Sequence, residues 1–150
     1  MSSYVSAELR RHVRRRAEGL CEYCMIHEDD TGFGCEIDHI ISEKHGGPTQ
    51  ESNLALACLT CNRNKGSDIA TFEPGTETLV RFFNPRANRW SEHFRLDSDG
   101  ITILPLTEQG EATVRIFGIN AIDRLLERLA LQMVSRYPTE AAQRRISGAA

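Results

Sequence analysis

Two Cys-x-x-Cys pairs, Cys21 with Cys24 and Cys58 with Cys61, constrain this chain more than any other feature. Each pair presents two sulfurs from one turn, and four thiolates complete the tetrahedral shell that zinc prefers, with no position left for water or substrate. Such a closed site is structural. It would staple the segment ending at Cys24 to a helix starting near Cys58. The 33 residues between the pairs exceed what a compact zinc ribbon needs, so a sizeable unit is inserted between the knuckles. Redox cysteines and buried free thiols are the competing readings; in a chain without an export signal, metal binding ranks first. Cys35, outside both pairs, reads as a small buried hydrophobe.

A chain of 150 residues can bury a core without disulfides. No apolar run approaches the roughly 18 residues that cross a bilayer, and residues 1–16 lack the apolar stretch of a secretory signal. We therefore expect a cytoplasmic protein with no membrane partner. The formal charge of −3 argues neither for nor against nucleic acid, but its distribution is uneven. Arg10, Arg11, Arg14, Arg15 and Arg16 crowd into seven residues, and such a cluster meets phosphates even on a net acidic protein. The rival reading is a solvated helix face.

The pattern predicts a helix over Ala7 to Ala17, capped by Ser6 and stopped by Gly19, with Leu9 and Val13 inward. A short strand is expected over Cys35 to Ile41 and a second over Leu54 to Ala57. Between them, Gly46-Gly47-Pro48 marks an extended loop. A helix then begins near Cys58 or Leu59 and ends at Gly66. Beyond it, Leu79 to Phe83, Phe94 to Leu96 and Ile101 to Leu104 are strand candidates, with Asp99-Gly100 as a hairpin signal. Thr107 caps a helix to about Phe117. Asn120 caps another from Ala121 to Arg136, whose apolar face is Ile122, Leu125, Leu126, Leu129 and Val134. The remainder to Ala150 is expected to fray.

Chemistry concentrates in the insertion. Glu36-Ile37-Asp38-His39-Ile40-Ile41 is followed by His45-Gly46-Gly47-Pro48 and Asn53-Leu54, and Asn62 comes directly after Cys61. Phosphodiester hydrolysis needs a nucleophilic water, a base and positive charge near the leaving oxygen. An imidazole titrating near neutrality makes His39 the candidate base. Asp38 and Asn62 are hard oxygen donors suited to one Mg2+ or Mn2+. Asn53 is placed to hold the loop and orient His39. Arg63 and Lys65 follow on the helix and join Arg10, Arg11, Arg14 and Arg15 as candidate phosphate contacts. Trp90 reads as core, and His45 as structural.

The order Cys21-x-x-Cys24, Asp38-His39-Ile40, Gly46-Gly47, Asn53-Leu54, Cys58-x-x-Cys61-Asn62, Lys65 resembles the HNH endonucleases, over roughly residues 10–66. The resemblance implies a ββα-metal fold around one catalytic ion, with Asp38 and Asn62 as its ligands and His39 as base. It implies DNA as substrate, with RNA left open, and products with 5′-phosphate and 3′-hydroxyl ends. The third signature position is Asn62 rather than histidine, an HNN variant, which favours Mg2+ or Mn2+ over softer ions. Residues 83–86 and 90–94 are similar to the accessory region that follows the motif in stand-alone bacterial proteins of this kind. The expected class is α+β: an N-terminal basic helix and a zinc-stapled ββα core over residues 1–67, β-hairpins and two helices packed on the core over 68–138, and a flexible tail over 139–150. The alternative is a zinc-stabilised nucleic-acid-binding module without turnover.

Adjacent residues on a regular strand face opposite ways. Asp38 and His39 cannot both face one ion unless the strand twists or ends there.

Overall fold

The structure, a computed structural model, describes residues 4–149. Helix α1 (Ala7–Arg16) starts at Ser6, whose hydroxyl accepts from the Leu9 N–H at 3.1 Å. Val13 points into the core, and the basic last turn suits the negative end of the helix dipole. After the first cysteine pair, β1 (Cys35–His39) pairs antiparallel with β2 (Leu54–Cys58), in a register running from Cys35 opposite Cys58 to His39 opposite Leu54. Every residue of β2 is buried, since α1 and helix α2 (Leu59–Lys65) both pack against the strand. β2 enters α2 without a loop, and Gly66 ends the helix at a φ of +55°. This is the expected ββα unit, with the cysteine pairs at its closed end.

The second half forms two further hairpins, β3 (Ala70–Phe72) with β4 (Leu79–Arg81), and β5 (Phe94–Leu96) with β6 (Ile103–Pro105). The short helix α3 (Trp90–His93) leads into β5, and the Asp99-Gly100 signal is the β5–β6 turn, with Gly100 at a φ of +73°. Thr107 caps α4 (Glu108–Phe117) as expected, its hydroxyl accepting from the Gly110 N–H. Helices α5 (Ile122–Met133) and α6 (Glu140–Ser147) complete the chain. Trp90 is buried, its indole N–H donating to the Tyr23 carbonyl at 2.9 Å. Tyr23, Phe82, Phe83, Phe94 and Phe117 meet edge to face around it, so one aromatic core joins the two halves. Among the described residues, no helix is long and apolar enough to cross a membrane.

Three expectations require correction. The segment expected to fray contains α6, which is anchored: Ala142 is buried, Arg145 donates to the Arg16 carbonyl at 2.7 Å, and Arg144 pairs with Glu18. The hairpins are therefore followed by three helices rather than two. The apolar stripe of α5 faces outward, and Arg124 and Arg128 are its buried residues. Its first turn lacks the side-chain cap assigned to Asn120, whose amide instead bonds the Ile103 backbone in β6.

Candidate functional site

Cys21, Cys24, Cys58 and Cys61 are all buried, and their sulfurs lie within 4.8 Å of one another. A tetrahedron with metal–sulfur arms of about 2.3 Å has edges of about 3.8 Å. The Cys24 and Cys58 sulfurs stand 3.8 Å apart. The donor set, its closure and this spacing fit zinc. Cys35 is buried outside the cluster, and burial pushes its thiol pKa up.

One neighbour of the sulfurs was not legible beforehand. Arg124, from α5, donates to Cys24 Sγ at 3.1 Å and Cys58 Sγ at 3.2 Å. Burial disfavours its charge, but the Cys24, Cys58 and Cys61 sulfurs outweigh burial and raise its pKa. A zinc ion held by four thiolates would carry two net negative charges, and this guanidinium would offset one of them. Charge compensation of that kind stabilises a buried thiolate site.

Asp38 sits near the end of β1, 6% exposed. Lys65, from α2, approaches it at 3.3 Å and donates to the His39 carbonyl at 3.0 Å, and the Tyr23 hydroxyl lies 3.4 Å away. Burial lifts the Asp38 pKa to about 6, against the opposing pull of Lys65, Tyr23 and His39. Glu36 lies two residues back on the same strand face, and its carboxylate accepts from the Asn62 amide at 2.7 Å. Asn62 and Lys65 are three apart on α2 and so share a helix face. The two contacts are rungs between that helix face and the Glu36–Asp38 face of β1. The amide nitrogen of Asn62 is engaged with Glu36, which leaves its oxygen as the atom suited to a hard cation. Lys65 lies within 3.4 Å of both Asp38 oxygens, so a cation at this carboxylate would share it with the ammonium. Asp38, Asn62 and Glu36 thus place oxygen donors on the facing sides of β1 and α2.

His39 parts from Asp38, as strand alternation requires. Its Nε2 lies 2.8 Å from the Thr49 hydroxyl and 3.6 Å from Glu43, with the ring partly exposed. Asn53 holds the intervening loop. Its Oδ1 accepts from the Ile41 N–H, and its Nδ2 donates to the carbonyls of Ile41 and Pro48, each at 2.9 Å. No contact joins Asn53 to the His39 ring among the described residues, so it fixes the path of the loop that carries Thr49. Gly47 makes that path possible, because a Cβ there would fall 1.7 Å from the Ile41 carbonyl oxygen.

The arginines diverge. Arg14 bonds Glu28 and the Cys35 carbonyl, Arg16 bonds the Glu51 and Leu54 carbonyls, and Arg10 reaches the Val5 carbonyl. Arg10, Arg11, Arg15 and Arg63 are exposed. Lys65 differs from its expected role: at 2% exposure it is spent on Asp38 and cannot meet phosphate. The sequence reading also passed over Glu36, Thr49 and Tyr23. Only Glu36 had a signal available, its two-residue offset from Asp38. His45 is exposed in the loop.

Residues 21–68 match the family model described as HNH endonuclease. No curated protein and no solved structure matches the chain.

Proposed function

We propose that this chain, whose residues 21–68 belong to the HNH endonuclease family, is a metal-dependent endonuclease that hydrolyses DNA phosphodiester bonds. The observation that supports the reading is that one ββα unit carries the signature residues: a partly exposed imidazole at the end of β1, a carboxylate one residue before it on the other strand face, and an amide on α2 that meets this second face through Glu36. His39, held by Thr49, takes the proton of the attacking water, a role open to a partly exposed imidazole. Asp38 and the Asn62 oxygen would hold one Mg2+ or Mn2+ beside Glu36. Such an ion would supply positive charge at the leaving 3′ oxygen. Asn53 positions the loop behind His39. Arg10, Arg11, Arg15 and Arg63 are the exposed cations available to the phosphate backbone, with Arg14 half-committed to Glu28. The products carry 5′-phosphate and 3′-hydroxyl ends.

One observation favours the second reading, a zinc-stabilised nucleic-acid-binding module without turnover: the buried Asp38–Lys65 pair serves equally as scaffold. A supercoiled-plasmid assay separates the two. The wild type should nick or linearise plasmid with Mg2+ but not without added divalent ion, and His39→Ala should abolish cutting while retaining zinc and fold. Binding without cutting under every ion tested would establish the module. Cutting by His39→Ala at the wild-type rate would remove His39 as the base.

A further inference from the structure

A narrow crevice between the end of β1 and β4 joins the two halves of the molecule beside the signature residues. Ile40 and Ile41, which follow His39 directly, line it with Lys65, Ile69, Asn84 and Arg81. Lys65 forms its buried floor, with the ammonium on the His39 carbonyl at 3.0 Å. Arg81 stands exposed at its rim. The strand end that carries Arg81 is fixed. The Phe82 N–H donates to the Ile69 carbonyl at 3.0 Å, the Phe83 N–H donates to the Thr113 hydroxyl at 2.8 Å, and both rings are buried. The Arg81 guanidinium itself makes no hydrogen bond or ion pair among the described residues. We propose that Arg81 is a phosphate-binding residue of the nuclease site, holding the substrate backbone beside His39.

Two observations set Arg81 apart from an arginine that merely solvates a strand. From Asp68 onward, every arginine except Arg81 and Arg95 donates to a carboxylate, a backbone carbonyl or a sulfur. Arg95 lies on β5 opposite Leu104 and is no part of the crevice wall. Arg81 is therefore the unengaged arginine that the second half brings to the signature residues. Its surroundings also leave its charge free. Arg81 stands opposite Ala70, and the next pair on the same outward face is Leu79 opposite Phe72, so no carboxylate on that face of the strand pair neutralises it. Asp68, just before β3, makes no ion pair with it. A guanidinium free in this way offers two parallel N–H groups to phosphate oxygens. A backbone already fixed by Phe82 and Phe83 has little freedom left to lose on binding. Lys65, which the motif spacing offered for this contact, is spent on Asp38, and Arg81 supplies the cation on the same flank. The inference rests on the nuclease reading for its substrate, and it makes the second half part of the site as well as its support.

Anisotropy of a fluorescent DNA duplex across a salt series tests this on the full zinc-loaded chain carrying His39→Ala, so that the duplex stays intact. Adding Arg81→Ala should weaken binding about tenfold, the lower end for a hydrogen bond to a charged group, and reduce the salt slope by about one. Arg81→Lys should recover part of the affinity and the whole slope. Arg95→Ala makes the same change in net charge and should alter neither. Melting temperature and zinc content should match throughout, because the Arg81 guanidinium holds nothing in the fold. With His39 restored and Mg2+ added, Arg81→Ala should cut with a KM raised by a similar factor. A photocrosslinking amino acid at position 81 should mark the nucleotides next to the bond that the wild type cuts. Arg81→Ala that binds like its parent, Arg95→Ala that binds as poorly as Arg81→Ala, or crosslinks only to nucleotides remote from the cut would overturn the proposal, while cutting by the wild type leaves the nuclease reading standing. Arg81-dependent binding by a wild type that cuts nothing would uphold the phosphate contact and overturn the nuclease reading instead. A chain that neither binds nor cuts the duplex would overturn both.

Discussion

Arg63 and Lys65 stand two residues apart on α2 with opposite surroundings, and each carries its own prediction. Lys65 is 2% exposed against a carboxylate that is itself 6% exposed. Removing one partner of a buried ion pair strands the other, at about 3–5 kcal/mol. Lys65→Met should therefore lower stability by roughly 3 kcal/mol, read by thermal or urea denaturation. Arg63 is exposed with no partner among the described residues. Arg63→Ala should leave the melt unchanged and weaken nucleic-acid binding uniformly, reducing the salt slope by about one. A destabilised Arg63→Ala with a stable Lys65→Met would show that the two side chains have been assigned the wrong way round. The sequence places both residues on the helix but cannot say which is inward. That depends on Asp38, which lies 27 residues earlier and meets Lys65 only once β1 has paired.

At the scale of elements, the loop between β1 and β2 is a built part rather than a spacer. Asn53 closes it with three side-chain hydrogen bonds, and buried donors and acceptors left unpaired cost about 1–3 kcal/mol each. Asn53→Ala should lower the cleavage rate at least tenfold and shift the His39 ring resonances. The zinc content should hold, because the cysteines lie at the other end of the strand pair. Gly47→Ala should be worse, since its Cβ would overlap the Ile41 carbonyl backbone, which cannot step aside. Wild-type cleavage by either variant would contradict the assigned role of the loop. Much of this region was legible: Asp38, His39, Asn53 and Asn62 stand on the elements the motif spacing predicted, and β2 and α2 begin within a residue of expectation. β3 was not legible, because three half-exposed residues carry no period to read. The facing of α5 was misread for a different reason. Helical periodicity identifies an apolar stripe but not what it packs against, and long polar tethers to sulfurs and carbonyls hold this helix by its other side.

Across the whole molecule, the region matched by the family does not close on itself. Contacts reach it from far along the chain, among them Trp90 to the Tyr23 carbonyl, Tyr137 hydroxyl to the Cys24 carbonyl at 2.9 Å, and Arg124 to the Cys24 and Cys58 sulfurs. Glu22, 2% exposed between the knuckle cysteine and Tyr23, is paired by Arg86 and accepts from the Leu56 N–H. The contacts that Arg86, Trp90, Arg124 and Tyr137 make with Glu22, Tyr23 and the cysteines span 64 to 113 residues and leave no local pattern, which is why the second half was readable as elements but not as a support for the site. They make a graded prediction about zinc. Arg124→Met in the full chain should speed zinc loss to a chelator about tenfold, the lower end of what outer-shell partners are worth, while the fold stays cooperative. A chain ending after Asp68 loses Arg124, Arg86, Trp90 and Tyr137 together. It should strip far faster and melt without a cooperative transition, because Tyr23 and the unpaired Glu22 would face water. If that fragment instead melts cooperatively and holds zinc as firmly as the full chain, the nuclease-like unit is self-sufficient and the second half must be explained by something other than support.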